Sequence, residues 1–432
     1  MSDASTTSTA APPSSRDSVI AALEVDVRFL GMIGALALIW IAFDVMAGGA
    51  FLTARNLWNL SVQTSSIAVM ATGMVLVIVT RNIDLSVGSI LGVTGMVMAV
   101  FQANWLTPML GFNHPLVWIG TLAVGVALGA AIGAVHGFVI AYLGVPSFIV
   151  TLGGLLVWRG AAWTVAEGKT IPLTDDNFKL IGGGATGSIG AHWSWILAGV
   201  ACLAIVLATL NARRQRKRFH FPLKPMWAEF AIIGAGCVAA IAATLVVNSY
   251  MLPAALARRY AAERGLEMPP EGLQIAFGYA VPVLVAIAAG IVMTFVTRRT
   301  RFGRYVFAIG GNPEAAELAG INTRKVLLTV FAVMGALAGV AAAISTARLT
   351  SATNAQGTLD ELYVIAAAVI GGTSLAGGAG TVAGAILGAL VMQSLQSGMV
   401  LMRVDTPYQN IVVGIVLVLA VFVDTLYRRR FK

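Results

Sequence analysis

From Leu362 to Met402 the chain carries no charged residue. A run that long and apolar has few places to go. The hydrocarbon core of a bilayer is about 30 Å thick and takes roughly 20 apolar residues to cross as a helix. Inside it every backbone N–H and C=O must be satisfied by the chain itself, which favours helices. Composition extends the argument to the whole chain: 58% of residues are hydrophobic, 11% are charged, and the mean hydropathy is +0.85. A water-soluble domain carries about 25% charged residues, so this chain lacks the charge to cover a soluble surface. The sequence predicts an all-α fold, a polytopic transmembrane helical bundle, and excludes most soluble-enzyme classes. The net charge of +9 reads as loop charge in a membrane protein, not as a nucleic-acid surface. Cys202 and Cys237 both lie in apolar runs and form neither a disulfide framework nor a metal motif.

Twelve segments qualify as spans: Phe29–Ala47, Leu60–Thr80, Leu85–Gln102, Val117–Tyr142, Ser147–Ala166, Ser194–Leu210, Ala228–Ser249, Gly278–Thr297, Val326–Thr346, Leu362–Ala376, Thr381–Met402 and Asn410–Leu426. The weakest is Leu362–Ala376, short and followed by Gly377-Gly378-Ala379-Gly380; a re-entrant hairpin fits that run as well as two spans. With an internal N-terminus and strict alternation, nineteen Lys and Arg fall on the cytoplasmic side and eight outside, with Arg159 inside a span. Every dense basic cluster then lies on one side, as the positive-inside rule requires. The expected organisation is a Ser/Thr/Ala/Pro-rich cytoplasmic tail over 1–28, a transmembrane domain over 29–427, and a basic cytoplasmic tail over 428–432. Both termini are expected in the cytoplasm, and the first span is read as uncleaved.

Glycines recur at four-residue spacing at Gly125, Gly129, Gly133 and Gly137, and again at Gly380, Gly384 and Gly388. Without a Cβ, two helix backbones can approach closely, so these stripes are expected to pack helices against each other. Two nucleotide-like patterns fail. Gly168-Lys169-Thr170 lacks the earlier glycine of a phosphate loop, because Trp163 stands there, and Gly182, Gly184 and Gly187 have no preceding strand. No catalytic, metal or cofactor site is predicted on this chain.

Arg81-Asn82-Ile83-Asp84-Leu85-Ser86-Val87-Gly88-Ser89 joins two spans with almost no loop. Asp84 is placed to cap the next helix. Polar groups at membrane depth also line conduits, so Asp84, Ser86, Gln63, Thr151, Gln393 and Ser397 are the candidate translocation-path residues, with helix–helix hydrogen bonding as the plain alternative. Between two later spans, Asn312 can cap a helix of about two turns that opens on Pro313, carries Glu314 and Glu317, and stops at Gly320. A helix that short is marginal alone and needs a docking surface, either its own membrane domain or a partner. Ala315 and Ala316 are small and are expected to permit close approach to that surface.

The run Ile83-Asp84-Leu85-Ser86-Val87-Gly88-Ser89 resembles a hallmark of the ribose/xylose-type permeases of bacterial ABC sugar importers. So does Gly303-Arg304-Tyr305 followed by Ala308-Ile309-Gly310-Gly311-Asn312-Pro313-Glu314-Ala315-Ala316. Val369-Ile370-Gly371-Gly372-Thr373-Ser374-Leu375 with Gly377-Gly378 is a third match. The resemblance implies a passive subunit of the bacterial inner membrane that pairs with a second copy of itself as a homodimer enclosing the sugar path. It implies a cytoplasmic ABC ATPase that consumes the ATP, and a periplasmic sugar-binding protein that delivers the substrate. The segment Asn312, Pro313, Glu314, Ala315, Ala316, Glu317 and Gly320 would then dock on the ATPase. Typical members have about ten spans; here Ser194–Leu210 and Ala228–Ser249 form an added pair, a long-middle form that is most similar to the xylose type. Xylose is the expected substrate. Ribose, branched-chain amino acids, or a secondary transporter are the alternatives, the last disfavoured because Asp44, Asp84 and Asp424 lie near span ends.

Overall fold

A computed structural model describes residues 27–430, apart from residue 185 and residues 266–273. Most of the expected N-terminal tail and the last two residues lie outside this range. The chain runs through α1 (Val27–Met46), α2 (Ala54–Val79), α3 (Val87–Phe101), α4 (Pro115–Ala141) and α5 (Ser147–Ala166). After β1 (Ile171–Pro172) come α6 (Gly190–Arg218), α7 (Met226–Ser249), α8 (Ala254–Arg264), α9 (Val281–Arg299), α10 (Arg301–Gly311), α11 (Pro313–Leu318) and α12 (Thr323–Leu349). β2 (Ser351–Ala352), α13 (Asp360–Ile370), α14 (Val382–Leu401) and α15 (Thr406–Arg430) complete it. α3 continues through a π-helical turn, Gln102–Leu106, as far as Leu110.

The ends follow local chemistry. The Thr53 and Thr381 side chains accept from Asn56 N and Gly384 N, capping α2 and α14. Pro115 opens α4, where its missing N–H costs no helical bond.

Ten helices among the described residues are long and apolar enough to cross a membrane: α1 to α7, α9, α12 and α14. The count from sequence was twelve. Of the other two segments, Leu362–Ala376 forms α13, whose 11 residues extend about 16 Å, half a bilayer. The last lies in α15, whose apolar part runs Thr406–Phe422.

Burial sorts the helices. In α2, 89% of the apolar stretch is buried, against 6% in α1 and 11% in each of α6 and α7. α2, α3, α12 and α14, each more than half buried, form the centre; α1, α6 and α7 lie at the periphery. The added pair α6–α7 is tied by an ion pair, Arg213 Nη1 to Glu229 Oε2 at 2.7 Å. It meets the centre through Thr244 and the Tyr279 hydroxyl at 3.0 Å.

α4 and α12 cross antiparallel in backbone contact. A methyl added at Gly129 would strike the Gly335 carbonyl, and one at Gly133 the Phe331 carbonyl. Gly137 lies on Leu328, while Gly125 lies against Met98 of α3. On α14, Gly384 and Gly388 meet the carbonyls of Gly371 and Ala367, and Gly380 meets Thr373. Such contact supplies the van der Waals attraction that lipid does not.

Candidate functional site

Two interruptions in the helices approach each other inside the bundle. The first is residues 80–86, between α2 and α3. Asp84 there is only 1% exposed. Its Oδ1 accepts from the Ser86 N–H at 2.9 Å and from the Ser86 hydroxyl at 2.5 Å. Sequence made Asp84 the cap of α3. The structure instead closes a two-residue Asx turn, with Ser86 at the cap position and no side-chain cap bond. Trp158 Nε1–H donates to His136 Nε2 at 2.9 Å. An indole nitrogen only donates, so Nε2 accepts and Nδ1 carries the imidazole proton. Nδ1–H then points to Ser86 Oγ, 3.2 Å away, and the chain of bonds ends on the Asp84 carboxylate. Thr151 joins from α5, its hydroxyl donating to Ser147 O at 2.8 Å and Ile83 O at 3.3 Å.

The second interruption lies between α12 and α13. β2 pairs antiparallel with β1, Ile171 opposite Ala352. Residues 353–359 then turn into the bundle. α2 and α12 are antiparallel: Gly73 lies against Met334 and Leu337, and Trp58 shares a cavity with Ala347 and Arg348, so the two interruptions enter from opposite ends. They meet where Gly88 lies on Gly357 and on the Glu361 carboxylate; a side chain at either glycine would separate them. Half-buried Arg159, in the middle of α5, donates from Nη1 to Gln356 O at 2.7 Å and Asn354 O at 3.1 Å. Its charge is therefore directed at the second interruption, not toward lipid. Around this junction the side-chain oxygens of Ser89, Thr94, Asn354 and Gln356, and Oε2 of Glu361, are buried with no hydrogen-bond partner among the described residues. Broken helices meeting at membrane depth, with unspent polar groups, form the substrate and ion sites of many transporters.

Within the chain the candidate path residues fall in three places. Asp84, Ser86 and Thr151 converge. Gln63 lines a separate cavity at the Trp58 end of α2. Gln393 and Ser397 sit on α14, where the Ser397 hydroxyl donates to Asn56 Oδ1 at 3.1 Å. From sequence, His136, one of four scattered histidines, and Trp158 had no assigned role. The available signal was weak: a histidine inside a span, next to the Gly133–Gly137 stripe.

The short helix α11 is capped as its sequence suggests, with Asn312 Oδ1 accepting from Ala315 N at 3.0 Å. Gly320 ends it at φ +81°. One expectation is corrected. Ala316 does not lie on an outward contact face: it is 4% exposed and packs into the chain's own core. Pro313, Glu314, Ala315 and Glu317 face outward, and beside them Leu318 is 91% exposed. Leu318 thus belongs to the outward face of α11, and Ala316 does not.

The class of protein follows from this architecture: a multi-pass helical membrane protein with two broken segments at its centre and a short outward-facing helix between spans. A sequence model of the family described as "Branched-chain amino acid transport system / permease component" matches residues 56–421. The chain belongs to this permease family. It is similar to the xylose transport system permease protein XylH of Haemophilus influenzae, 37% identical over 94% of this chain and 98% of the relative. XylH of Escherichia coli K12 is 38% identical over 92% of each chain. The ribose import permease protein RbsC of Escherichia coli K12 is 32% identical over 90% of this chain and 91% of its own. No solved structure matches.

Proposed function

We propose that this chain is the membrane-spanning subunit of an ATP-driven bacterial importer and carries a monosaccharide, xylose before ribose. The observation that carries this reading is the 37–38% identity to xylose permeases across more than nine-tenths of both chains, above the 32% to the ribose permease. ATP is consumed by a separate cytoplasmic ATPase that receives the outward face of α11; a periplasmic binding protein delivers the sugar; two copies of this chain pair around the path. Both termini and the Arg213–Lys224 loop are cytoplasmic. On this reading the chain crosses the inner membrane twelve times, and residues 353–359 together with α13 make the tenth crossing. That assignment is supported by the position of α14, which starts beside Val79 at the far end of α2 and reaches Asn56 near its start.

The test is reconstitution. Vesicles holding the permease and its ATPase, supplied with the binding protein, should take up D-xylose only with internal ATP. Uptake of leucine but not of any pentose would overturn the substrate class. Sugar uptake that needs an ion gradient and no ATP would overturn the mechanism.

A further inference from the structure

The cavity at the Trp58 end of α2 has a volume of about 380 Å³ and is lined by Trp58, Asn59, Gln63, Lys179, Thr186 and Arg348, with the backbone of Gly182 to Gly184 beneath. We propose that it is a binding site for a neutral monosaccharide, the first place on the permease that the sugar occupies. This rests on the importer reading, which makes that end of α2 the periplasmic one.

Position and chemistry carry the argument. Asn59 and Gln63 are four residues apart on α2 and so project from one face of the helix. Neither side chain makes a hydrogen bond to another described residue, and both are partly buried. Each amide offers a donor and an acceptor, which is what a ring of hydroxyl groups requires. The floor is firm: Trp58 is held by its Nε1–H bond to Gly278 O at 2.8 Å and packs on Phe277 and Tyr250. The Gly182 backbone lies directly on Ala347 and Arg348. An aromatic wall beside polar groups suits the apolar and hydroxylated faces of a sugar ring.

Charge argues against other solutes. Lys179 Nζ is already paired with Asp176 Oδ1 at 2.8 Å. That pairing leaves less positive charge for an anion. Among the described residues no Asp or Glu lines it, so the ammonium of an amino acid would lack a counter-charge. The volume lies at the small end of the range for ligand sites, about 300–1,000 Å³.

The test uses the full-length permease in right-side-out membrane vesicles that also hold the ATPase, with both native cysteines replaced (Cys202→Ser, Cys237→Ser) and Thr186→Cys introduced. Alkylation of the new thiol by a membrane-impermeant maleimide is followed without binding protein. D-xylose should slow it, and leucine should not. In the Asn59→Ala/Gln63→Ala background the xylose concentration for half-protection should rise about tenfold, as loss of one or two net hydrogen bonds implies. No protection by D-xylose in vesicles that import it with binding protein and ATP overturns the site and leaves the importer reading intact. Protection undiminished by the double substitution overturns the site as well. Import of leucine and not xylose by the same vesicles removes the importer reading instead.

Discussion

Arg81 joins the end of α2 to the end of α10: its Nε–H donates to Gly310 O at 2.9 Å and its Nη2–H to Gly311 O at 2.6 Å. Residue 81 belongs to the first interruption, and Gly311 immediately precedes the cap of α11. Gly378 N donates to Val79 O at 3.0 Å in the same place, so the segment after α13 meets there too. A push on α11 thus has a short, hydrogen-bonded route to the first interruption and to the segment that follows α13.

Arg81→Ala should separate docking from transport. Two charge-assisted bonds are lost, each of a kind that contributes about 1.5–3 kcal/mol, while the outward face of α11 is untouched. ATPase co-purification should stay near wild type and uptake should fall at least about tenfold. Arg81→Lys should rescue little, because an ammonium does not reproduce the planar fork. Full uptake in Arg81→Ala would remove this link from the coupling route.

The face of α11 is tested by two substitutions with opposite signatures. Leu318→Arg changes a side chain that is 91% exposed, so the bundle should melt as wild type while ATPase association is lost. Ala316→Arg forces a charge into the protein's own core and should destabilise the permease itself by several kcal/mol, as buried unpaired charge does. Detergent melting curves and co-purification, read together, separate the two. Normal association in Leu318→Arg would reassign the docking surface.

The difference between these two residues marks how far the sequence could be read. Spans were legible because a bilayer imposes length and apolarity on every crossing, independent of neighbours. The α11 cap was legible because Asn312 and Pro313 act locally. Its orientation was not: a helix of 6 residues gives no periodicity from which to tell a buried Ala316 from an exposed Leu318. The charge-free run from Leu362 holds both a half-helix and a full one, and α13 ends on a local glycine stop: Gly372 takes φ +85° while its N–H and that of Thr373 donate to Val369 O and Ala368 O, a stop that the sequence reading placed at Gly377-Gly378 instead. Asp84, Ser86 and Thr151 were found because polar residues in spans are rare. His136 lies inside a span as well and offered a signal of the same kind; Trp158, which completes the network, is an apolar-run residue and gave none.

The α4–α12 crossing predicts position-dependent tolerance of bulk. Gly133→Leu must displace the Phe331 carbonyl and the Ala332 backbone, and overpacking of that kind costs about 1–3 kcal/mol or more. Folded yield should drop sharply. Gly160→Leu is the control, since nothing lies within 4 Å of a Cβ added there; it should express and transport as wild type. Equal behaviour of the two would mean that the stripe does not face α12.

Arg159 gives the most discriminating test of the junction, because its two possible environments predict opposite signs. A guanidinium that merely reached along α5 to the membrane surface would carry a cost at that depth, and Arg159→Met would stabilise the protein. In the structure its Nη1–H instead serves the carbonyls of Asn354 and Gln356, and those hold residues 353–359 against α3 at Gly92. Methionine would fill a similar volume and leave two buried acceptors without a donor. Each such loss costs about 1–3 kcal/mol. Arg159→Met should therefore lower the melting temperature in detergent and abolish uptake, while α11 still binds the ATPase. Arg159→Lys should recover part of the stability, since an ammonium can reach one carbonyl. A melting temperature that rises in Arg159→Met would show that the guanidinium does not hold the second interruption in place.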